Sequence, residues 1–456
     1  MLFRQILNED LGCASYLVAD GGVAAVVDPK WEVEDYLELA REHELRIEHV
    51  LETHNHADHV SGRGRLVEAT GATVHVAREA GAAYEHEGLE PGDAIELGEA
   101  RIVALATPGH RPEHLAFLVE DRSRGDEPWL LLTGDSLFVG DVARPDLAVE
   151  PEEGARELRR SLGRLLEHDD FVEVWPGHVG GSLCGGGGMS EKPGSTIGFE
   201  RRFNPFLRLV DDEERFVGEL KSSLAPQPPN FERIVELNRS GPPGEAVQLQ
   251  PLAPKRAFEL GATLIDGRDP REFDAAHAPG ALNVTMSHTG VGTRAAWVVD
   301  PGSEVVLFAA SDEEAQRLAR FLEAVGFRKL CGYVAGGIGA WRGEHLETHS
   351  TPALDVKGLA ERIWNDEAIL LDVREDDEWE EGHVEDSLHV PYHDLHDGVP
   401  REISEADKPL AVACSAGNRS SLAASLLERA GIGNVLHVAD GGVEDLPDHG
   451  IELTDG

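Results

Sequence analysis

The sequence predicts an α/β protein in three consecutive pieces, and three observations predict it. Residues 1–240 alternate short β-rich runs with polar helical segments, the pattern of two sheets in layers with helices outside. The stretch GPPGEAVQLQPLAP, residues 241–254, has the Pro and Gly content of a linker. Beyond it the chain repeats itself once. LIDGRDPREFDAAHAPGALNV (residues 264–284) lies over LLDVREDDEWEEGHVEDSLHV (residues 370–390), so that Asp266, Arg268 and His277 fall on Asp372, Arg374 and His383.

In the first piece, residues 15–18 and 23–28 read as strands, 33–43 as a helix and 47–52 as a strand. Later strands are expected at 73–76, 102–105, 115–119, 129–132 and 171–174, separated by loops rich in Gly, Pro and Asp. The repeat continues, with one residue of shift, as VVLFAASDEEAQRLARFLEAVGF (305–327) over LAVACSAGNRSSLAASLLERAGI (410–432). Residues 305–309 and 410–413 read as buried parallel strands, each entering a loop and then a helix, which in the last copy is expected at 422–430. With a second linker at 349–354, the expected domains are 1–240, 255–348 and 355–456.

Composition narrows the function classes. The chain carries 85 acidic against 41 basic residues, a net charge of -44, so neither nucleic acid nor an anionic membrane is an expected partner. The acids are spread along the chain and read as a solvated surface. No apolar run is long enough to span a bilayer, and the opening MLFRQILNED has no signal-peptide core, so a cytoplasmic protein is expected. Four cysteines, Cys13, Cys184, Cys331 and Cys414, stand apart with no C-x-x-C pair, which excludes a disulfide framework and a thiolate zinc site. Cys13 and Cys331 fall in predicted strands and read as inert core residues.

THNHADH (53–59) places His54, His56, Asp58 and His59 directly after a predicted strand. His110 in TPGH, Asp135 in LTGD and His178 in WPGH each follow another strand. Loops at strand ends of an α/β sheet converge on one site, and neutral imidazole with carboxylate is a ligand set for Zn, Mn or Fe(II). His43, His49, His75 and His86 lack such a context and read as surface or packing residues.

Residues 1–240 thereby resemble the metallo-β-lactamase superfamily, which implies an αββα sandwich. In that superfamily the full set can hold two metals, with His54, His56 and His110 at one, Asp58, His59 and His178 at the other, and Asp135 bridging. One reading is therefore a dinuclear zinc hydrolase of the glyoxalase II type. The finer motifs TPGHRPEH, TGDSLFVGDVARPDL and PGHVGGSLCGGGGMSEKPGSTIGFERRFNP resemble the persulfide dioxygenase branch. That resemblance implies one Fe(II) per chain, with Zn as the alternative, held by His54, His110 and Asp135. Three open coordination positions would admit a substrate sulfur and O2, while His56, Asp58, His59 and His178 orient ligands and waters. Arg144, in the ARPD turn, matches an arginine of that branch and is expected either to pair with a carboxylate of the thiol carrier or to hold Asp146. Cys184 matches a cysteine of the fused members, which implies either a role in accepting or relaying sulfur or a silent loop thiol. Arg201 and Arg202 are further candidates for carrier recognition.

Cys414 ends a buried strand and opens CSAGNRS. A strand-to-helix loop directs backbone N–H groups and the positive helix end at the sulfur, favouring a thiolate or a terminal persulfide anion. Arg419 adds a cation or fixes the loop, Gly417 permits its tight backbone, and Ser415 and Gly417 are candidate substrate contacts. The loop, together with LLDVRE (370–375) and EGHVEDSLHVP (381–391), resembles the rhodanese domain, with one departure at Glu385-Asp386-Ser387. In the middle copy Ala309 stands where Cys414 does, and Asp312, Glu313 and Glu314 replace Gly417, Asn418 and Arg419, so that copy resembles an inactive rhodanese domain serving as spacer or docking surface.

The fold expected overall is a metallo-β-lactamase αββα sandwich followed by two rhodanese-like α/β domains with parallel sheets. The function expected is oxidation of a thiol persulfide joined to sulfur transfer through Cys414. Expected partners are a persulfide of glutathione, coenzyme A or another thiol, O2, sulfite or thiosulfate, and further copies of the chain in a homo-oligomer. A non-catalytic alternative makes both rhodanese copies protein-binding or sulfur-sensing modules.

Overall fold

The structure, a computed structural model, describes residues 1–125, 127–180, 184–185, 188–241 and 246–454. It divides into two compact units, Met1–Ala246 with Ala324–Gly326, and Val247–Glu323 with Phe327–Gly456.

The first unit is a sandwich of two six-stranded sheets. One runs in chain order through β1 (Leu2–Leu7), β2 (Ala14–Asp20), β3 (Val23–Val27), β4 (Arg46–Leu51), β5 (Thr73–Ala77) and β6 (Glu87–Leu89), antiparallel at first and parallel from β3 onward. The other contains β7 (Ala94–Leu97), β8 (Ala100–Ala106), β9 (Leu115–Asp121), β10 (Pro128–Gly134), β11 (Glu173–Pro176) and β12 (Ser195–Thr196). Side-chain alternation builds two cores. Phe117, Val119, Leu130 and Leu132 face inward to join Leu17, Val26 and Val50 of the first sheet. Ala116, Leu118 and Leu131 face outward and are covered by the helix Pro151–Leu165 through Ala155, Leu158, Leu162 and Leu165. That helix opens with Pro151, has Glu152 and Glu153 in its first turn and Arg164 in its last, all in keeping with its backbone dipole.

Two expectations shift. The strand anticipated at 171–174 covers Glu173–Pro176 instead, because Val172 N–H closes a turn on Asp169 O (3.1 Å) and Phe171 is exposed, whereas Trp175 packs on Phe3. β1, β6 and β7 were not anticipated, being short or mixed in polarity.

The second unit holds both copies of the repeat. One sheet has the order β13 (Pro251–Leu252), β17 (Leu330–Val334), β16 (Val305–Phe308), β14 (Thr263–Asp266), β15 (Leu282–Asn283). The other has β18 (Ala353–Asp355), β23 (Val435–Asp440), β22 (Leu410–Ala413), β19 (Ile369–Asp372), β21 (Leu388–His389), and the two orders correspond strand for strand. All pairings in both sheets are parallel. A short antiparallel pair, β20 (His383–Val384) with β24 (Leu453–Thr454), completes the last copy. The repeat extends to side chains. Arg268 Nε donates to Asp266 Oδ1 (2.9 Å) as Arg374 Nε does to Asp372 Oδ1 (3.0 Å), and His277 stacks on Phe273 as His383 does on Trp379. Among the described residues no helix is long and apolar enough to cross a membrane.

Candidate metal centre and thiolate loop

The segment 53–59 leaves the end of β4 and is pinned from two sides. Asp28 accepts from Thr53 N–H (2.7 Å) and Thr53 Oγ1 (2.8 Å). Asn238, buried on the helix Phe231–Ser240, donates to the carbonyls of His56 (2.9 Å) and His59 (2.8 Å). His54 Nδ1 lies 2.9 Å from Thr53 Oγ1, and His110 Nδ1 donates to Arg144 O (2.9 Å). In both rings the Nε2 atom is left without a hydrogen bond. Asp135 follows Gly134 at the end of β10, and its N–H donates to His114 Nε2 (2.9 Å).

These groups converge. Asp135 Oδ2 lies 3.5 Å from His110 Nε2 and 3.9 Å from His54 Nε2. All three atoms are buried and unpartnered, although buried polar atoms nearly always have a partner. Burial, with the neighbouring imidazoles, holds His54 well below the usual histidine range, and burial lowers His110 despite the Asp135 charge. Burial works against the charge of Asp135, but His178 outweighs it and holds the carboxyl at about 2. Two neutral imidazoles and one carboxylate, mutually within 4.8 Å, have the charge state and donor chemistry that a divalent cation needs.

A second layer lies against this set. His178 has both ring nitrogens beside carboxylates, Nδ1 at 2.8 Å from Asp135 Oδ1 and Nε2 at 2.9 Å from Asp58 Oδ2. Those charges raise its pKa well above the ordinary value in spite of burial. Asp58 Oδ2 also accepts from the Cys13 thiol (2.9 Å) and lies 3.1 Å from His59 Nδ1. His56 Nε2 lies 3.1 Å from Asp28 Oδ1 and 3.3 Å from Glu52 Oε2. His56 Nδ1, Asp58 Oδ1 and His59 Nε2 remain buried without hydrogen bonds.

In the second unit, the helix Asn418–Arg429 begins directly at the loop rather than at residue 422, because the polar Asn418–Ser421 turn lacks the apolar periodicity that marks a helix. Cys414 is fully buried at the end of β22. Gly417 N–H donates to Cys414 Sγ at 3.2 Å, and the Oγ of Ser420 lies 3.5 Å from the sulfur. Gly417 sits at φ +84°, and an added Cβ would stand 2.9 Å from Ala439 O, so only glycine fits. Arg419 pairs with Glu378 through both terminal nitrogens and donates to Ser415 Oγ (2.9 Å), so it fixes the loop. In return Arg419 holds Glu378 at about 2 against the effect of burial. In the middle copy Ala310, which aligns with Ser415, has its N–H donating to Glu314 Oε2 (3.1 Å).

Residues 8–178 match the Metallo-beta-lactamase superfamily, and residues 253–344 and 355–447 match the Rhodanese-like domain. A hydroxyacylglutathione hydrolase of Anaeromyxobacter dehalogenans is 31% identical over 220 residues, 43% of this chain and 81% of that protein. The chain belongs to the metallo-β-lactamase superfamily. It carries two rhodanese-like domains in addition. A Bos taurus protein named mitochondrial persulfide dioxygenase ETHE1 is 28% identical over 244 residues, 52% of this chain and 87% of its own length. A solved metallo-β-lactamase from Staphylococcus aureus aligns with a TM-score of 0.67 at 27% identity, covering 73% of this chain and 98% of its own. The superfamily implies a divalent metal, and the unpartnered Nε2 and carboxylate atoms described above fit one.

Within this metallo-β-lactamase domain the other candidates take definite places. Arg144 is buried and holds Asp146 (2.7 and 2.8 Å) and Ala225 O (2.7 Å). Arg201 pairs with Asp170 and donates to Leu166 O (2.6 Å), and Arg202 lies over the Phe203 ring. Cys184 is buried within 4.8 Å of the ligand atoms of Asp135 and His178, and burial pushes its thiol up to about 12. Cys13 corrects its expected role as an inert core residue, since its thiol faces Asp58 and His59 at the centre itself. Asp28, Glu52 and Asn238 also hold the centre as lone polar residues outside the ligand motifs, and so does His114, the last residue of TPGHRPEH. Only the proximity of His114 to TPGH gave a signal.

Proposed function

We propose that the metallo-β-lactamase domain, residues 1–240, is a persulfide dioxygenase that converts a low-molecular-weight thiol persulfide to thiol and sulfite, consuming O2 and water. The observation that carries this reading is the asymmetry of the centre. His54 Nε2, His110 Nε2 and Asp135 Oδ2 are unpartnered and converge, while His178 has both nitrogens committed to carboxylates. Such a set would hold one Fe(II) per chain by two imidazoles and one carboxylate, and the metal would supply the redox chemistry that joins sulfur and O2. Arg144 O fixes the His110 tautomer, His178 orients Asp135, and Asn238 holds the backbone of the 53–59 turn, so the ligands are preset.

The domain at 355–456 would carry sulfane sulfur on Cys414 as a persulfide, passing it to sulfite to form thiosulfate or taking it from thiosulfate. The Gly417 N–H on the sulfur supports this, while the domain at 255–348, with Ala309 and Glu314 in the corresponding loop, would be catalytically silent. The similarity to a protein named persulfide dioxygenase supports the dioxygenase reading of residues 1–240, and the match to the Rhodanese-like domain supports the sulfur-transfer reading.

The test is O2 uptake by protein loaded anaerobically with Fe(II), given glutathione persulfide or coenzyme A persulfide, with metal analysis and thiosulfate:cyanide transfer by wild type and Cys414→Ser. Iron near one per chain, O2 consumed, sulfite formed and transfer abolished by Cys414→Ser are expected. A second reading, a dinuclear zinc thioester hydrolase, is favoured by the unpartnered His56 Nδ1, Asp58 Oδ1 and His59 Nε2 and by the similarity to a hydroxyacylglutathione hydrolase. Two zincs per chain, no O2 uptake and acyl-thioester hydrolysis would establish it instead.

A further inference from the structure

A chain of buried polar groups runs from the silent rhodanese copy to the sulfur of the active one. Asp274, on the helix Pro270–Ala275 of the silent copy, places Oδ2 2.7 Å from His437 Nδ1 on β23. His437 Nε2 lies 3.1 Å from Ser420 Oγ and 3.1 Å from Gly417 O. The Cys414 thiol faces Ser420 Oγ at 3.5 Å. All four side chains are nearly or wholly inaccessible: Asp274 is 4% exposed and His437, Ser420 and Cys414 are 0%. A carboxylate can only accept, so Asp274 fixes the ring proton at Nδ1 and leaves the Nε2 lone pair as an acceptor for the Ser420 hydroxyl, whose other acceptor is Val438 O at the longer distance of 3.3 Å.

We propose that Asp274 of the silent copy aligns His437 to receive the Cys414 thiol proton through Ser420, so that the copy without a nucleophile completes the site of the copy that has one. The proton balance closes. The Cys414 S–H bond breaks, its proton passes to Ser420 Oγ, and the hydroxyl proton of Ser420 passes to His437 Nε2. The charged ring then has an acceptor at each nitrogen, Asp274 Oδ2 and Gly417 O. The Cys414 thiolate attacks the outer sulfur of a carrier persulfide, a new S–S bond forms at Cys414, and the S–S bond to the carrier breaks. The carrier departs as a thiolate, which takes back one proton and returns His437 to its neutral state. No electrons are gained or lost overall. Ser420 touches the reacting sulfur, whereas His437 and Asp274 act through it as positioning residues.

The same seam supplies its own control. Glu428, near the far end of the helix that starts at Asn418, lies 2.8 Å from both His277 Nε2 and His349 Nδ1, but takes no part in the relay. The inference rests on the sulfurtransferase reading of Cys414, so the experiment reads thiol reactivity as well as transfer. In the full-length chain, Asp274→Asn, Ser420→Ala and Glu428→Gln are compared by the rate of Cys414 alkylation by iodoacetamide, followed by mass spectrometry at fixed pH. Thiosulfate:cyanide kcat and KM and the melting temperature are measured alongside. Asp274→Asn and Ser420→Ala are expected to slow alkylation and lower kcat at least about tenfold with little change in KM. Glu428→Gln is expected to lower the melting temperature and leave both rates unchanged. Wild-type alkylation in Asp274→Asn would overturn the proposal, as would an equal loss in Glu428→Gln, which would make the seam merely structural. If Asp274→Asn does not fold, Asp274→Glu, which keeps a carboxylate but moves it, decides in its place: wild-type alkylation in Asp274→Glu would overturn the proposal. Slowed alkylation in a protein that transfers no sulfur would uphold the relay and sink the transferase reading.

Discussion

Gly177 gives the sharpest test of how the metal centre is held. Its N–H donates to Gly134 O (2.8 Å), and its backbone passes so close to Asp135 that an added Cβ would meet Oδ1 at 2.4 Å. The position needs no left-handed backbone, so Gly177→Ala perturbs the site by contact alone. An ordinary non-bonded contact is about 3.5 Å, so the methyl must displace the Asp135 carboxylate or its own strand by about 1 Å. That movement strains the 2.8 Å contact of Oδ1 with His178 Nδ1 and re-aims Oδ2, the atom that converges with His54 and His110. Loss of such an orienting contact typically weakens metal binding about 10- to 100-fold, and misplacement by about 1 Å can cost about 100-fold in rate. Overpacking also destabilises by about 1–3 kcal/mol. Iron titration of the apo-protein with equilibrium dialysis, together with O2 uptake, reads the first two effects, and thermal melting reads the third. Transfer by Cys414 serves as the internal standard and should be unchanged. A Gly177→Ala protein with wild-type iron affinity and oxygen uptake would refute the reasoning that this close approach sets the Asp135 carboxylate.

Gly417→Ala places a side chain at φ +84° against Ala439 O, which costs about 1–2 kcal/mol of backbone strain and pulls the N–H off Cys414 Sγ; sulfur transfer should fall about tenfold or more while oxygen uptake stays level. Glu428→Gln should destabilise the second unit in a pH-dependent way. Burial opposes the Glu428 charge, but its hydrogen bonds with His277 and His349 lower its pKa from 4.5, and Glu428 in turn raises His349 from 6.5. The carboxylate contribution is present above about 4.5 and lost as pH falls through the lowered value, whereas the His349 contribution is present below about 6.5 and lost as pH rises through the raised value. The melting-temperature gap between wild type and Glu428→Gln should therefore be widest near pH 5–6 and narrow on both sides. At this partly exposed site it should stay near about 1 kcal/mol, or about 2–4 °C. A gap that does not vary with pH would contradict it.

What was legible in the sequence was local. The seven metal-site candidates stand out because each follows a strand in a short motif, and Gly177 of the second PGH lets its backbone come close to the Asp135 carboxylate. The repeat could be read because Asp266 and Arg268 recur as Asp372 and Arg374 with the same side-chain geometry. What was not legible was the long-range hydrogen bonding. Asn238 is 182 residues from His56, and Cys13 is 45 from Asp58, with nothing in either local sequence to announce the partner. Cys13 also shows why a lone thiol beside an apolar run is ambiguous, since it precedes the buried strand β2 but turns toward the carboxylate. The start of the Asn418–Arg429 helix was hidden for a different reason, because its first turn is polar and its geometry comes from Gly417.

Two copies of one fold within a single unit separate what folding needs from what sulfur chemistry needs. Both keep the buried Asp–Arg pair that ties the end of one strand to the loop after it, with Arg268 donating to Ala276 O (3.0 Å) and Arg374 to Gly382 O (2.8 Å). The pair therefore belongs to the fold. The copies part at the loop. In the last copy a backbone N–H faces sulfur, whereas in the middle copy Glu314 occupies a backbone donor and Asp312 and Glu313 open the following helix. Restoring only the sulfur at Ala309 would set a thiol among carboxylates, which oppose formation of its anion. Yet the middle copy is not idle material. Asn283 accepts from Ser421 Oγ (2.5 Å), and its backbone N–H donates to Ser425 Oγ (3.2 Å), so it grips the helix that leads out of the Cys414 loop. The same copy supplies Asp274 to His437 and His277 to Glu428. A copy with alanine at the cysteine position that still holds the Asn418–Arg429 helix at Ser421, Ser425 and Glu428 is constrained by the surface it presents to its twin, whatever happens to its own loop.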